Sequence, residues 1–183
     1  MLFRSVNQEE DALFSQLVSY IPPYERATAL YEAFFTNLSW LISPIERSHF
    51  VSEIIPLFYP DRKAILPKSV PSHHAHDLAL LFVLFACGAV GDLTQHPLNN
   101  EATRYHTLAK AALGVKSIMH GASLAGVQTL LLLAAYNICA GEKRNQEDTW
   151  KLISLGCSMA AAVSLSSFSL KMDADVKSSD WTS

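Results

Sequence analysis

Apolar side chains recur at helical spacing through the segment 22–59. Between residues 24 and 42 they form one broad stripe at about 100° per residue, while charged residues, threonines, serine and asparagine occupy the opposite side. The stripe consists of Ala27, Leu30, Tyr31, Phe34, Phe35, Leu38, Leu41 and Ile42. The spacing predicts an amphipathic helix over 24–42 whose apolar face is covered by other helices.

A second helix is predicted to begin at Ser43. Pro44 would stand at its first position, and Glu46 would complete a Ser-x-x-Glu capping box. Pro56 is expected to end or kink this helix, because proline lacks the amide hydrogen that a helix interior needs. Its apolar edge consists of Phe50, Val51, Ile54, Ile55 and Phe58.

A further helix is predicted before this pair and a connector after it. Asn7, with Glu10 three residues later, marks the start of the first helix. The connector 59–71 contains three prolines, so we expect it to be irregular and exposed at the surface. The apolar stripe of the first helix consists of Leu13, Phe14, Leu17, Val18 and Ile21.

The segment 72–91 is apolar on every face from Leu78 onward, which predicts the central helix of a bundle. Its alanines at positions 79, 86 and 89 lie on one side, where the backbone of a neighbouring helix could approach closely. This helix should therefore be enclosed by the others.

Three helices are predicted after this centre. The first is capped by Asn99 or Asn100 and stops near Gly114, the second is capped by Ser123 and runs to about residue 140, and the third spans about 146–163. The buried edge of the first consists of Ala102, Tyr105, Ala109, Ala112 and Leu113.

No segment shows sustained strand alternation, so the predicted fold class is all-α, an irregular multi-helix bundle. The bundle is expected to occupy residues 2–163. From residue 164 the chain is serine-rich and polar without an apolar stripe, which predicts a disordered or non-native tail over 164–183.

Composition narrows the function classes. Half of the 183 residues are apolar and 17% are charged, which argues against wholesale disorder, and the net charge of −3 argues against a free-standing nucleic-acid binder. The N-terminus lacks the apolar core of a signal peptide. Cys87, Cys139 and Cys157 have no paired spacing, so we predict buried, reduced thiols and no cysteine-based zinc site.

The segments 78–91 and 123–140 are the candidates for membrane spans. The first is bracketed by aspartates and is too short to cross a bilayer, and the second is interrupted by Gln128 and Asn137. A soluble bundle without membrane contact is favoured, and a membrane-associated helical protein stays an alternative.

One run could carry chemistry. His73, His74, His76 and Asp77 offer imidazole and carboxylate ligands, and the i, i+3 or i, i+4 spacing of helical metal sites joins His73 to His76 or Asp77. The alternative is a solvated helix start. No catalytic motif is present, so we assign no catalytic, cofactor-binding or metal-binding residue and expect that the chain is not an enzyme.

Isolated polar and aromatic residues are expected to serve structure. His96, His106 and His120 each stand alone. Gln128 must find a hydrogen-bond partner if it is buried, and a nearby backbone group is favoured over a ligand cavity. Trp40 lies off the apolar stripe of its helix, as a singly exposed aromatic side chain or as a contact for an element outside this chain.

Five phrases of the sequence resemble one family in order and spacing. They are PPYERATALYEAFFTNLSWLISPIERSHFVSEIIPLFYP, HDLALLFVLFACGAVGDL, NNEATRYHTLAKAAL, SLAGVQTLLLLAAYN and TWKLISLGCSMAAA. Together they resemble the middle homology (regulatory) region of fungal zinc-cluster transcription factors. The resemblance covers residues 2–163.

The resemblance implies a nuclear protein that regulates DNA-templated transcription. Members of the family read DNA with a six-cysteine cluster that holds two zinc ions, and this chain has no such cluster. The resemblance therefore implies zinc and DNA contact only outside this chain. The implied partners are the rest of the parent factor or a homodimer partner, together with a small-molecule effector.

The chain departs from the family plan after residue 162, where further helices are expected and the serine-rich tail stands instead. We therefore expect a truncated regulatory domain, as a real fragment or a misjoined gene model, that is marginally stable and exposes a large apolar patch. The alternatives in other classes are a small helical metal-dependent enzyme around residues 73–77 and the membrane-associated protein.

Overall fold

The computed structural model describes the backbone of residues 2–63, 70–96, 99–117, 123–140 and 146–179, and the side chains from residue 8 to residue 164 within those ranges. No strand occurs in these ranges, so the prediction of an all-α fold is confirmed. Apart from two short 3₁₀ turns, the helices of the described ranges are α1 (Leu2–Val18), α2 (Tyr24–Asn37), α3 (47–58), α4 (Ala75–Gly91), α5 (Asn100–Val115), α6 (Leu124–Ala140) and α7 (Gln146–Ser179).

Helix α4 lies at the centre, as its uniform apolar composition predicts. Helices α2, α5 and α6 pack around it, and every residue from Leu78 to Ala86 is 0% exposed. Of the described segments, only Ser72–Gly91 is long and apolar enough to cross a membrane, and 83% of its apolar window is buried within the protein. The core helix of a bundle has the same length and apolar composition as a membrane span.

Helix α2 approaches α4 closely at Gly88. A Cβ atom placed on Gly88 would lie 2.0 Å from the carbonyl oxygen of Leu30, a distance that no real contact reaches. The alanines predicted to allow such an approach, at positions 79, 86 and 89, are fully buried. The close contact between the two backbones is possible because Gly88 has no side chain.

The first two helices differ from their predicted bounds. Helix α1 begins at Leu2 and not at Asn7, and Leu13 of its predicted stripe is 55% exposed while Phe14 and Val18 are buried. Helix α2 ends at Asn37 and not at residue 42. The end is fixed locally, because the amides of residues 38 and 39 both donate to the carbonyl of Phe34.

Helix α3 begins at Arg47, so the capping box predicted at Ser43 is wrong. The Ser43 hydroxyl donates to the carbonyl of Ile45 at 3.1 Å, and the Glu46 carboxylate accepts from the hydroxyl of Ser48 at 2.6 Å. Ile45 is 2% exposed. Ile45 is therefore buried by a non-helical part of the chain, and the helix begins two residues after it.

Helix α3 is irregular in the way that its proline predicts. A π-helical turn, Phe50–Ile54, separates the α-helical pieces Arg47–His49 and Ile55–Phe58. Pro56 follows this wide turn, and the helix ends at Phe58. A proline removes one backbone bond and crowds the preceding turn, and a π-bulge is one of the usual structures at helix irregularities.

The connector 59–71 was predicted to be exposed, and this prediction is wrong at its first residue, Tyr59. Tyr59 is 3% exposed, and its hydroxyl donates to the carbonyl of Pro22 at 2.8 Å. Burial raises the pKa of this phenol. Residues 64–69 of the connector lie outside the described residues, so the prediction for them stays a prediction.

The predicted caps of α5 and α6 are confirmed. The Asn99 side chain accepts from the amide of Ala102 at 2.7 Å, and the Ser123 hydroxyl accepts from the amide of Gly126 at 3.1 Å. Helix α5 passes Gly114 and ends at Val115. All five predicted positions of its buried edge are buried: Ala102, Tyr105, Ala109, Ala112 and Leu113.

Helix α7 packs against α6 and begins at Gln146, as predicted. Its buried contacts include Thr149, Gly156 and Met159. The helical backbone continues to Ser179, so the boundary predicted near residue 163 is wrong, because loss of an apolar stripe does not by itself end a helix. Residues 180–183 lie outside the described residues. The division into a regulatory domain over 2–163 and a non-native tail stays a prediction.

Candidate functional site

The histidine run is divided between solvent and core. His76 is 5% exposed, and its two ring nitrogens lie 2.7 Å from the Ser123 hydroxyl oxygen and 3.2 Å from the Lys116 carbonyl oxygen. His74 pairs with Asp77, Nδ1 to Oδ2 2.7 Å. This i, i+3 pair is not the one that the sequence analysis named.

The side chain of His76 therefore joins α4 to the end of α5 and to the residue that caps α6. The rings of His73 and His74 are in contact, with 4.1 Å between centroids and 41° between their planes. Within the described ranges, no three His, Cys, Asp or Glu side chains are grouped so that they could hold a metal ion. The metal-enzyme alternative gains no support from this run.

Gln128 behaves as predicted. It is 7% exposed, and its side-chain nitrogen donates to the carbonyl of Pro44 at 3.0 Å. The bond ties α6 to the non-helical chain before α3, 84 residues away in sequence. In the described part of the chain, every fully buried side-chain nitrogen or oxygen atom has a hydrogen-bond partner.

The strongest electrostatic cluster joins the ends of three helices. Arg26 Nε on α2 donates to Glu101 on α5 at 3.1 Å, and its guanidinium reaches Asp92, just after α4, at 3.4 Å. The hydrogen bond with Glu101 raises the pKa of Arg26, and hydrogen bonds from Thr94 lower the pKa of Asp92. This cluster fixes helix positions and leaves no reactive group free.

The three cysteines have different surroundings. Cys87 is buried, its thiol donates to the carbonyl of Leu132 at 3.7 Å, and burial raises its pKa. Cys139 is half-buried and lines the same small apolar cavity as Cys87. Cys157 is exposed, so the prediction that it is buried is wrong. Its position faces away from α6, the helix against which α7 packs.

His106 also has a packing role, as predicted. Its ring stacks on Tyr136 with 4.2 Å between centroids and 13° between planes, which joins α5 to α6. Burial, with a smaller contribution from Lys110, lowers the pKa of His106 to about 4. The imidazole is therefore neutral near pH 7. His120 lies outside the described residues.

Asn137 is named in the sequence only as an interruption of the apolar segment 123–140, and its surroundings were not predicted. It is 7% exposed on α6, yet no described residue forms a hydrogen bond with its carboxamide. The sequence shows a polar residue in an apolar helix, and Gln128 in the same helix looks alike. Only the positions of the neighbouring helices distinguish the paired amide from the unpaired one.

Several large apolar side chains are exposed in the described part of the chain. Trp40 is 79% exposed, and its indole nitrogen donates to the carbonyl of Asn37 at 2.9 Å; both interpretations of this residue are compatible with that exposure. Leu93, Leu124, Ile138 and Trp150 are exposed by more than half. The predicted single large patch and the predicted marginal stability stay predictions.

Comparison of the chain with protein-family models, with curated proteins and with solved structures gives no match. The sequence phrases alone carry the resemblance to zinc-cluster regulatory regions. The described geometry adds an all-α scaffold in which the buried polar side chains of His76 and Gln128 join separate segments of the chain.

Proposed function

We propose that this chain is a helical regulatory module of a transcription factor, a partial middle homology region of the fungal zinc-cluster class. One observation carries the proposal. The family-like phrases correspond one after another to α2 with α3, α4, α5, α6 and α7, and α2, α5 and α6 pack around α4 as a common core. The phrases are thus consecutive structural units, as expected of a regulatory domain.

The module would act in the nucleus as a scaffold, by contact with the rest of a parent factor or a second copy and by response to a small-molecule effector. DNA contact and zinc would belong to a cluster elsewhere in the parent factor, because the chain has only three cysteines and a net charge of −3. The alternatives are less supported. The histidine run is divided, and the most apolar helix is covered by protein.

A reporter assay tests the regulatory role. The chain is placed between an unrelated DNA-binding domain and an activation segment, and transcription of a reporter is compared with that of a fusion that carries a flexible linker of the same length. We expect the folded module to change the output, and the core variant Gly88→Ala to restore the level of the linker control. Equal output from the module and the linker would overturn the proposal.

A binding assay tests the corollary about DNA. Fluorescence anisotropy of labelled duplexes at moderate salt should show no sequence-selective binding by the chain alone. Tight and selective binding would contradict the assignment of DNA contact to another cluster.

A further inference from the structure

A cleft opens where α5, α6 and α7 meet. Its volume is about 250 Å³. Its lining is mixed, with four polar or charged groups beside one aliphatic side chain and one imidazole. The lining residues are His106, Lys110, Asn137, Asp148, Lys151 and Leu152.

The carboxamide of Asn137 faces this cleft without a partner. Asn137 is 7% exposed and receives no hydrogen bond from the described residues, although every fully buried polar side-chain atom in those ranges is paired. Its polar atoms must therefore keep a narrow opening, and the cleft that it lines supplies one. The amide is thus open to the cleft and bonded to no described residue, so it can donate to and accept from a ligand that enters there.

The lining of the cleft carries two ammonium groups, those of Lys110 and Lys151, and one carboxylate, that of Asp148. Lys151 is occupied, because its ammonium lies 2.7 Å from the Glu147 carboxylate and 3.8 Å from that of Asp148. Lys110 forms no ion pair within the described ranges. His106 adds no positive charge near pH 7, because burial holds its imidazole neutral. Lys110 is therefore the charged lining residue without an ion pair in the described ranges, and it lines the same cleft as the amide of Asn137.

We propose that this cleft binds a small organic carboxylate. The carboxylate would accept hydrogen bonds from the Lys110 ammonium and the Asn137 amide, and a short apolar body would lie along Leu152. A cleft of about 250 Å³ is below the size of drug-like sites, so a ligand of about ten non-hydrogen atoms fits it. A cation is disfavoured because Asp148, the acidic group of the lining, already lies beside Lys151.

The inference deepens the proposed function, because it gives the effector a place and a chemical class, and it rests on that function only for its biological meaning. Binding itself depends on the cleft alone. A failed binding test would leave the reporter result standing, and a failed reporter test would leave the binding result standing.

Three probes of matched shape test the chemistry on the full chain. Benzoate, benzamide and benzylamine are titrated into ¹⁵N-labelled protein, and the side-chain NH₂ signals of Asn137 are followed by NMR. We expect benzoate to shift these signals with saturation and the two other probes to leave them in place. Preferential binding of benzylamine, or no saturable shift with benzoate, would overturn the proposal.

Two lysine substitutions, one in α5 and one directly after it, test whether the Lys110 ammonium contributes to binding. Lys110→Gln removes the proposed ammonium, and Lys116→Gln removes an exposed ammonium outside the cleft. Loss of one charge-assisted hydrogen bond should weaken benzoate binding about tenfold for Lys110→Gln. The control should bind as the parent does. Equal weakening by both variants would mean nonspecific attraction and would overturn the site.

Asn137→Leu gives a second, independent measurement. If the amide has no partner, a leucine of similar size should raise the thermal midpoint by about 2 to 4 °C while benzoate binding is lost. A variant that is less stable, or that fails to fold, would show that the amide has a structural role. A variant that still binds benzoate would show that the amide does not contact the ligand. Either result would overturn the proposal.

Discussion

Helices α4 and α6 have the same length, 17 residues, and both are mainly apolar, but their surroundings differ. Helix α4 is enclosed by α2, α5 and α6, and its middle is completely buried. Helix α6 packs mainly between α4 and α7, and its edge exposes Leu124 and Ile138. The two polar amides of α6, Gln128 and Asn137, lie on its buried sides.

The comparison shows that apolar composition predicts burial only on average. A polar side chain in the middle of an enclosed helix is costly, because it would need a hydrogen-bond partner inside the core. A helix at the edge of a bundle can direct one amide to a distant backbone and another to a cleft. Chemistry in this protein is therefore expected where α6 meets α5 and α7, and not along the enclosed middle of α4.

The largest effect should come from Gly88→Ala in α4. The new Cβ would collide with the Leu30 carbonyl, and two packed helix backbones cannot separate without opening the core. We expect a loss of about 4 kcal/mol or more in the free energy of unfolding. Urea denaturation followed by circular dichroism measures it. A loss below about 1 kcal/mol would contradict the close approach of α2.

Gly114→Ala is the matched control. Nothing lies within 4 Å of a Cβ placed on this glycine, which lies inside α5. Removing the extra freedom of glycine in a helix should raise the free energy of unfolding by about 0.5 to 1 kcal/mol.

The next effect contrasts the two helices directly. Leu81→Ala in α4 removes a side chain that is 0% exposed, whereas Ile138→Ala in α6 removes one that is 60% exposed. We expect a loss of about 2 to 5 kcal/mol for the first and a change within about 0.5 kcal/mol for the second. The same denaturation experiment compares them. Equal losses would mean that the outer edge of α6 is covered in solution, for instance by a second copy.

A smaller effect separates the two amides of α6. Gln128→Leu leaves the carbonyl of Pro44 without its partner, which should cost about 1 to 3 kcal/mol. Asn137→Leu leaves no partner behind and should cost nothing. Urea midpoints of both variants, measured side by side, test the difference. Similar losses for the two variants would contradict the distinction between a structural amide and an unpaired one.

The smallest effect concerns pH and the His106–Tyr136 stack. Burial lowers the pKa of His106 from 6.5 to about 4 in the folded state, so between these values the unfolded chain binds a proton that the folded protein does not. The stability contribution is therefore present above pH 6.5 and is lost as the pH falls towards 4. Solvent reaches this partly buried ring, and we expect a loss of about 1 to 2 kcal/mol.

Comparison with His106→Phe isolates this contribution, because phenylalanine preserves a ring against Tyr136 and does not titrate. Lys110, Asp148 and Lys151 also line the cleft beside His106, and they are present in both proteins. The unfolding free energy is measured for both proteins at pH 7 and at pH 4.5. The value for the parent minus the value for the variant should be lower at pH 4.5 than at pH 7, because only the parent carries the titrating imidazole. A constant difference would contradict the lowered pKa.

Local sequence signals predicted much of the fold. Asn99 and Ser123 cap the helices they were expected to cap, because a capping side chain bonds to an amide only three residues away. The buried edge of α5 was predicted residue by residue, since helical periodicity decides which side chains share a face. The same kind of signal failed at Ser43, where burial of Ile45 outweighed a good capping sequence.

The candidate cleft was not predictable in this way. Its lining comes from three helices, and its most informative feature, the unpaired carboxamide of Asn137, is the lack of a long-range contact. Similarly, Cys87 and Cys157 both lie in apolar sequence, but only Cys87 is enclosed by neighbouring helices. A pattern along the chain does not determine which residues from distant segments pack against a given side chain.

The sequence by itself determined that this protein is built from helices, where most of them begin and which one lies at the centre. Periodicity, caps and prolines act over a few residues, so the chain records them directly. The tertiary structure alone decided that Gly88 meets Leu30, that Gln128 reaches Pro44 and that Asn137 meets an open cleft. These contacts join residues that are far apart in sequence, and they exist only once the helices have packed.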